Sequence, residues 1–288
     1  MEIRVLGALD VRMCGVSVVP SAPKPRQVLG LLALRADQVV PAGTLADELW
    51  SGRPPRSART TVQTYVLQLR ELIDRAIATT GAATAGFACA KDVLVTSPGG
   101  YMLNSGGGLT DAREFDRLAG LGYRAMDGDD HKLAARMLDE ALRLWRGPAF
   151  SDVPAGGQLA VEAKRLEETR LCALDQRIDA DLRLGRHRVL LAELTVLVDR
   201  YRTHESLHGQ YMLALHRSGR RGEALEVYQR LRATLVRELG MEPSAALRRL
   251  QRSILVAAPE RAETGGEPAA VVRPAERQGA AARFSRVG

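Results

Sequence analysis

"RSARTTVQTYVLQLR", Arg56 to Arg70, holds three arginines and no acidic residue. Val62, Val66 and Leu69, with Ile73 just beyond, recur at i, i+4, i+7 and i+11, the phase of a helix that buries one stripe. The opposite face offers Arg59, Thr60, Gln63, Thr64 and Arg70. That is the chemistry of major-groove reading: Gln and Arg can bond base edges through two atoms, while Thr can bond phosphate or touch a thymine methyl. Arg53, Arg56 and Arg59 gather at the start of this helix, where backbone N–H groups and the helix dipole also attract phosphate. A charge run alone is usually a solvated face. The order of elements around this one decides between the two readings.

Upstream, "SGRPP" is a loop, because two consecutive prolines cannot donate hydrogen bonds within a helix. Before it, "PAGTLADELW" predicts a short helix with Leu45, Leu49 and Trp50 on one side and Thr44 as its cap. "KPRQVLGLLALRADQ" predicts another, with Val28, Leu31 and Leu32 turned inward. The first twenty residues alternate in short apolar runs with Gly7 and Gly15 at turns, which predicts two or three antiparallel strands. Downstream, a small-residue loop, "TTGAATAGFACAKD", leads into "VLVTSPGGYML", two short strands joined at a thin glycine tip. Sheet, three helices and hairpin make a unit over 1–105.

"NSGGGLTD", 104 to 111, is the clearest linker before the tail. Helical patterning then runs to about Ala258, in a second unit over 111–257. Turn glycines precede helices at Gly128, Gly185 and Gly219, and the last two stand 34 residues apart, the tetratricopeptide period. Leu207, Tyr211, Ala214 and Leu215 form one stripe and Ala224, Tyr228, Leu231 and Leu235 the facing one. Residues 259–288 have scarcely any large apolar side chain, so a disordered tail is expected there.

Bulk properties narrow the partners less than the local pattern does. The net charge of +7 is spread as +3 over 1–105, +3 over 106–258 and +1 over the tail, so it locates no site. No stretch of about 18 apolar residues lacks a charge, and no leader precedes the first strand, so a cytoplasmic chain without a membrane span is expected. Cys14, Cys89 and Cys172 are too dispersed for a disulfide framework or zinc site and read as reduced surface or core residues.

Enzyme motifs fail on inspection. "HESLH", His204 to His208, fits a zinc-hydrolase string but has no third ligand in the expected continuation. A helix start with Glu205 at its positive end explains it. "GAATAGFA" lacks the Lys and Ser/Thr of a phosphate loop, and "SAPK" has a proline inside it and no partner motifs. The expectation is no enzyme, no cofactor and no metal.

Long phrases carry a family resemblance over about residues 2 to 257. "PKPRQVLGLLALRADQVV", "LADELWSGRPPRSARTTVQTYVLQLRELI" and "VTSPGGYML" resemble the OmpR-type winged helix-turn-helix of the Streptomyces antibiotic regulatory protein family of transcription activators. "LTDAREFDRLA", "ALRLWRGPAF" and the run from His204 to Leu250 resemble that family's bacterial transcriptional activation domain. The resemblance implies a mainly α fold with a small β part: an N-terminal winged helix-turn-helix followed by an all-α tetratricopeptide-like domain. It also implies a pathway-specific activator of a secondary-metabolite (antibiotic) gene cluster, which binds direct repeats in double-stranded DNA near a promoter as a homodimer and recruits RNA polymerase holoenzyme.

Carried across on matching positions, Arg59, Thr60, Thr61, Gln63, Thr64 and Arg70 face DNA, while Lys24, Arg26 and Arg56 hold phosphates. Gly99, Gly100 and Tyr101 form the wing, and Ser51, Gly52, Arg53, Pro54 and Pro55 form the polymerase-facing loop. The long Ala-rich loop before the wing departs from the family pattern. A reading from another class is a helical-repeat adaptor for proteins, without specific DNA binding.

Overall fold

A computed structural model describes residues 1–80, 86–108 and 110–256. β1 (Glu2–Arg4), β2 (Asp10–Met13) and β3 (Val16–Ser17) form an antiparallel sheet in that order, with Ile3 opposite Val11. Cys14 and Gly15 both take positive φ in the tight turn between β2 and β3, as a two-residue hairpin requires. α1 (Pro23–Leu34) carries Pro23 and Pro25 in its first turn, where a missing N–H costs nothing. It buries Val28, Leu31 and Leu32.

β4 (Val40–Pro41) leads into α2 (Ala42–Trp50) and α3 (Ala58–Thr80). α2 starts at Pro41 with no side-chain cap, so Thr44 lies within the first turn and does not cap it. Instead, Ala42 N–H donates to Gly99 O at 2.9 Å, and the hairpin end meets the helix start. The stripe Val62, Val66, Leu69 and Ile73 is at most 2% exposed, which fixes the rotation of α3 and turns the polar face outward.

A short helix, α4 (Ala90–Val93), closes the Ala-rich loop, of which residues 81–85 lie outside the described residues. β5 (Leu94–Ser97) and β6 (Gly100–Leu103) then form a hairpin, and a second sheet runs in the order β4-β6-β5.

The remaining described helices are α5 (Asp111–Asp127), α6 (His131–Arg143), α7 (Gly157–Arg183), α8 (His187–Arg200), α9 (Glu205–Arg217), α10 (Arg221–Leu239) and α11 (Ala245–Val256). The two predicted stripes on α9 and α10 are buried together in one core with Ile178, Leu190 and Leu194. Gly185 and Gly219 turn the chain at φ +75° and +80°. At the first turn the roles shift: Gly128 has φ −91°, and Asp129 takes the left-handed position at +58°. The three glycines are therefore not equivalent.

The expected linker is a pinned joint. Ser105 is fully buried, and its N–H and hydroxyl both donate to the Asp37 carboxylate at 2.8 and 2.9 Å. A Cβ on Gly108 would stand 2.2 Å from Met1 O. Asp111, opening α5, accepts from Val5 N–H at 2.8 Å and Leu6 N–H at 3.0 Å. Gly108 is there for close approach, and Gly106 and Gly107 turn the chain at φ +64° and +77°, so none of the three serves as slack.

One aliphatic core runs from β1 and α1 through Phe115 and Trp145 to Leu159, Leu166 and Ala173 of α7. Phe115 and Trp145 meet edge to face with centroids 5.5 Å apart. α7, 27 residues long, continues from that core into the second one at Ile178 and Leu182. At 1.5 Å per residue it spans about 40 Å. The disordered tail expected over 259–288 lies outside the described residues.

Candidate nucleic-acid interface

α3 presents Arg59, Thr60, Gln63 and Thr64 on an exposed face, with Arg53 and Arg56 exposed in the loop before it. The first turn contains no acidic residue. Among the described residues, the guanidinium groups of Arg53, Arg56 and Arg59 have no hydrogen bond or ion pair. Three unpaired cations at a helix N-terminus make a site of positive potential. Thr64 and Thr61 donate their hydroxyls to Thr60 O and Ser57 O, both at 3.1 Å. That leaves the methyl group of Thr64 on the outer face, and Thr61 is half-buried.

Periodicity missed one member of this face. Leu67 is 57% exposed, although it is a large apolar side chain. It stands four residues after Gln63 and three after Thr64, so it continues their row. The signal was present in the spacing: Leu67 is out of phase with the buried stripe.

Other predicted residues are placed differently from expectation. Arg70, expected to face DNA, is bonded within the protein. Its Nε and Nη2 donate to Leu94 O at 3.1 and 2.7 Å, and Nη2 also reaches Thr96 Oγ1 at 2.7 Å. It fastens β5 to the reading helix and so sets the position of the hairpin.

Arg26 is likewise committed inside the protein. It donates to Pro20 O at 3.0 Å and pairs with Asp152 Oδ2 at 3.1 Å, which neutralises the charge expected to hold phosphate. Lys24 donates to Leu49 O at 3.3 Å and lies over the Trp50 ring at 4.8 Å, so it closes the end of α2.

In the hairpin, Pro98 and Gly99 form the exposed tip, with Gly99 at φ +81°. Gly100 is buried: a Cβ there would sit 2.2 Å from Val40 O, so the β4–β6 pairing requires a glycine at this position. Tyr101 is half-buried against the core. Of the three wing residues, only Gly99 is at the tip. The Ser51 to Pro55 loop is exposed throughout, and Ser51 and Gly52 take positive φ to turn the chain out of α2.

Removing the Arg70 fastening gives a direct expectation. Arg70→Ala should lower stability by about 1.5–3 kcal/mol, the scale of hydrogen bonds to charged groups. It should speed amide exchange along β5 and β6. Arg70→Lys should not restore protection, because an ammonium cannot span both acceptors as a guanidinium does. Unchanged exchange in both variants would remove Arg70 from this role.

The reading unit is bonded to the helical array by four carboxylates. Glu48, 1% exposed, accepts from Gly156, Gln158 and Leu159 N–H at 2.6, 2.7 and 3.2 Å, capping α7 from across the joint. Gln27 adds an amide N–H at 3.1 Å. Asp152 accepts from Leu9 N–H at 2.7 Å. Burial holds the Asp111 carboxyl above the usual carboxylate range, in spite of its bonds from Val5 and Leu6. Asp37 goes the other way: burial opposes ionisation, but bonds from Ser105 and Arg113 more than offset it and hold its carboxyl below the usual range.

"HESLH" is a helix start. His204 is the N-cap of α9, its Nδ1 accepting from Leu207 N–H at 3.4 Å, and Glu205 accepts from Ser244 N–H at 2.7 Å. Burial lowers the pKa of His208, whose Nδ1 lies 3.1 Å from His204 O. Cys14, Cys89 and Cys172 are exposed and form no disulfide with one another. Among the described residues no helix is long and apolar enough to cross a membrane.

Known proteins with this sequence pattern and geometry can be set beside the chain. Residues 17–82 match the family described as transcriptional regulatory protein, C terminal, and residues 110–255 match the bacterial transcriptional activator domain. The regulatory protein DnrI of Streptomyces peucetius is 51% identical over 271 residues, covering 94% of this chain and 98% of DnrI. The regulatory protein AfsR of Streptomyces coelicolor is 36% identical over 282 residues, covering 96% of this chain but 27% of the longer AfsR. Among solved structures, Mycobacterium tuberculosis EmbR in complex with a low affinity phosphopeptide superposes with a TM-score of 0.77 at 30% identity. That match covers 88% of this chain and 64% of EmbR.

Proposed function

This chain belongs to the Streptomyces antibiotic regulatory protein family of transcriptional activators, and from that premise we propose that it switches on a secondary-metabolite (antibiotic) gene cluster. It binds direct repeats near a promoter as a homodimer. The observation that carries the DNA-facing part is the outer face of α3, where unpaired Arg59 stands beside Thr60, Gln63 and Thr64 on a helix whose rotation the buried stripe fixes.

Gln63 reads a base edge, Thr64 and Leu67 offer apolar contact to thymine methyls, and Arg53, Arg56 and Arg59 hold phosphates. Thr61, half-buried, shapes the helix start. The Gly99 tip approaches the adjoining groove, at a position set by Arg70. Ser51 to Pro55 meet RNA polymerase holoenzyme. The chain performs no catalysis and acts in the cytoplasm, as a reading module over 1–105 joined to an effector module over 111–257.

A footprint of the purified protein on DNA flanking its own gene, with a salt titration and transcription by RNA polymerase holoenzyme, tests this reading. Protected repeated sites, a steep fall of affinity with salt and raised transcript yield are expected. Binding that ignores sequence would favour a helical-repeat adaptor instead.

A further inference from the structure

The outer side of the helical array carries a surface for which the DNA-reading role has no use. α8 exposes Val189 at 81% and Val196 at 66%. Seven residues apart, they lie two turns along one helix face and form an apolar ridge. A cleft of about 870 Å³ opens on the α6 side and is lined by Val189. A second, of about 730 Å³, opens toward α10 and is lined by Val196.

Both far walls carry exposed cations. Lys132 and Arg136 on α6, and Arg202 after α8, have no hydrogen bond or ion pair among the described residues. Arg230 on α10 reaches only Glu226, at 3.9 Å, with its side chain 69% exposed. Of the four acids in the first cleft, three are held by other cations, Asp139 by Arg143, Asp181 by Arg177 and Arg186, and Glu193 by Arg177, while Asp130 accepts from Leu133 N–H at 2.9 Å. Asp199 is the one carboxylate in the second cleft, against three arginines.

We propose that this valine ridge and the two clefts beside it dock an acidic amphipathic segment of a partner protein. Apolar side chains of the segment cover Val189 and Val196, and its carboxylates meet Lys132, Arg136, Arg202 and Arg230. Charge complementarity selects an acidic partner. The ridge selects protein over nucleic acid, because a phosphate backbone offers nothing to cover two exposed valines. The inference does not depend on which bases α3 reads.

Selection of a displayed library of random twelve-residue peptides on the full chain tests it. The surface is altered in two ways that leave the cores alone: Val189→Glu with Val196→Glu, and Arg136→Glu with Arg230→Glu. Enriched peptides should combine acidic and large apolar residues, and both variants should bind them at least tenfold more weakly while keeping wild-type affinity for promoter DNA. Any of four results overturns the proposal: no enrichment, enriched peptides without acids, equal binding by wild type and variants, or variants that lose DNA affinity. Variants that turn a dimer into a monomer with peptide binding unchanged would assign the ridge to a second copy of this chain instead.

Discussion

Glu48→Ala should destabilise the protein by about 3–5 kcal/mol, the scale of losing several charge-assisted hydrogen bonds at one site. The single carboxylate closes the start of α7 through three backbone N–H groups, which alanine leaves buried and unsatisfied. Its location makes the effect distinctive. Glu48 belongs to α2, so its removal loosens the joint between the reading unit and the array as well as a helix end.

Denaturant unfolding should therefore change in form, from one transition to two, with the core shared by the winged unit and α5 to α7 melting before the core from Ile178 to Ile254. A variant that unfolds in one transition at the wild-type midpoint would refute this role for Glu48.

The second large effect is on DNA, and it differs between neighbouring residues. Gln63→Ala should cost about 1–3 kcal/mol of binding to the preferred site, roughly fivefold to a hundredfold and more in Kd, and relax selectivity at one base position. Arg59→Ala should weaken binding to all sequences alike and lower the slope of log affinity against log salt by about 0.9, one phosphate contact. Both side chains are exposed and outside the cores, so thermal unfolding should hardly move. Equal loss of selectivity in both variants, or neither effect at fixed salt, would remove this face of α3 from base reading.

Most of the winged unit was legible because its elements advertise themselves. The i, i+4, i+7 phase from Val62 to Ile73 sets how α3 lies, and Pro54 and Pro55 mark the loop between α2 and α3. What pattern could not show was the destination of long polar side chains. Arg26, Arg59 and Arg70 look alike in sequence. In the fold the first meets Asp152, 126 positions away, the second meets nothing among the described residues, and the third meets a strand carbonyl.

Glycine misled for a related reason. "NSGGG" reads as slack when only local conformational freedom is weighed, yet Gly108 is there because Met1 passes too close for a side chain. Gly100, read as part of a wing tip, is required by Val40 O in the same way. Long-range approach leaves no periodic mark.

The long α7 has a geometric consequence for the promoter. Because one helix belongs to both cores, the docking proposed for α3 would give the array a set bearing on the duplex. DNA turns once in about 10 base pairs, so shifting the operator by half that distance would swing the array to the opposite side of the double helix, and a full turn would bring it back. Activation that depends on rotational phase, as well as on distance from the start site, is the expected result of the proposed docking.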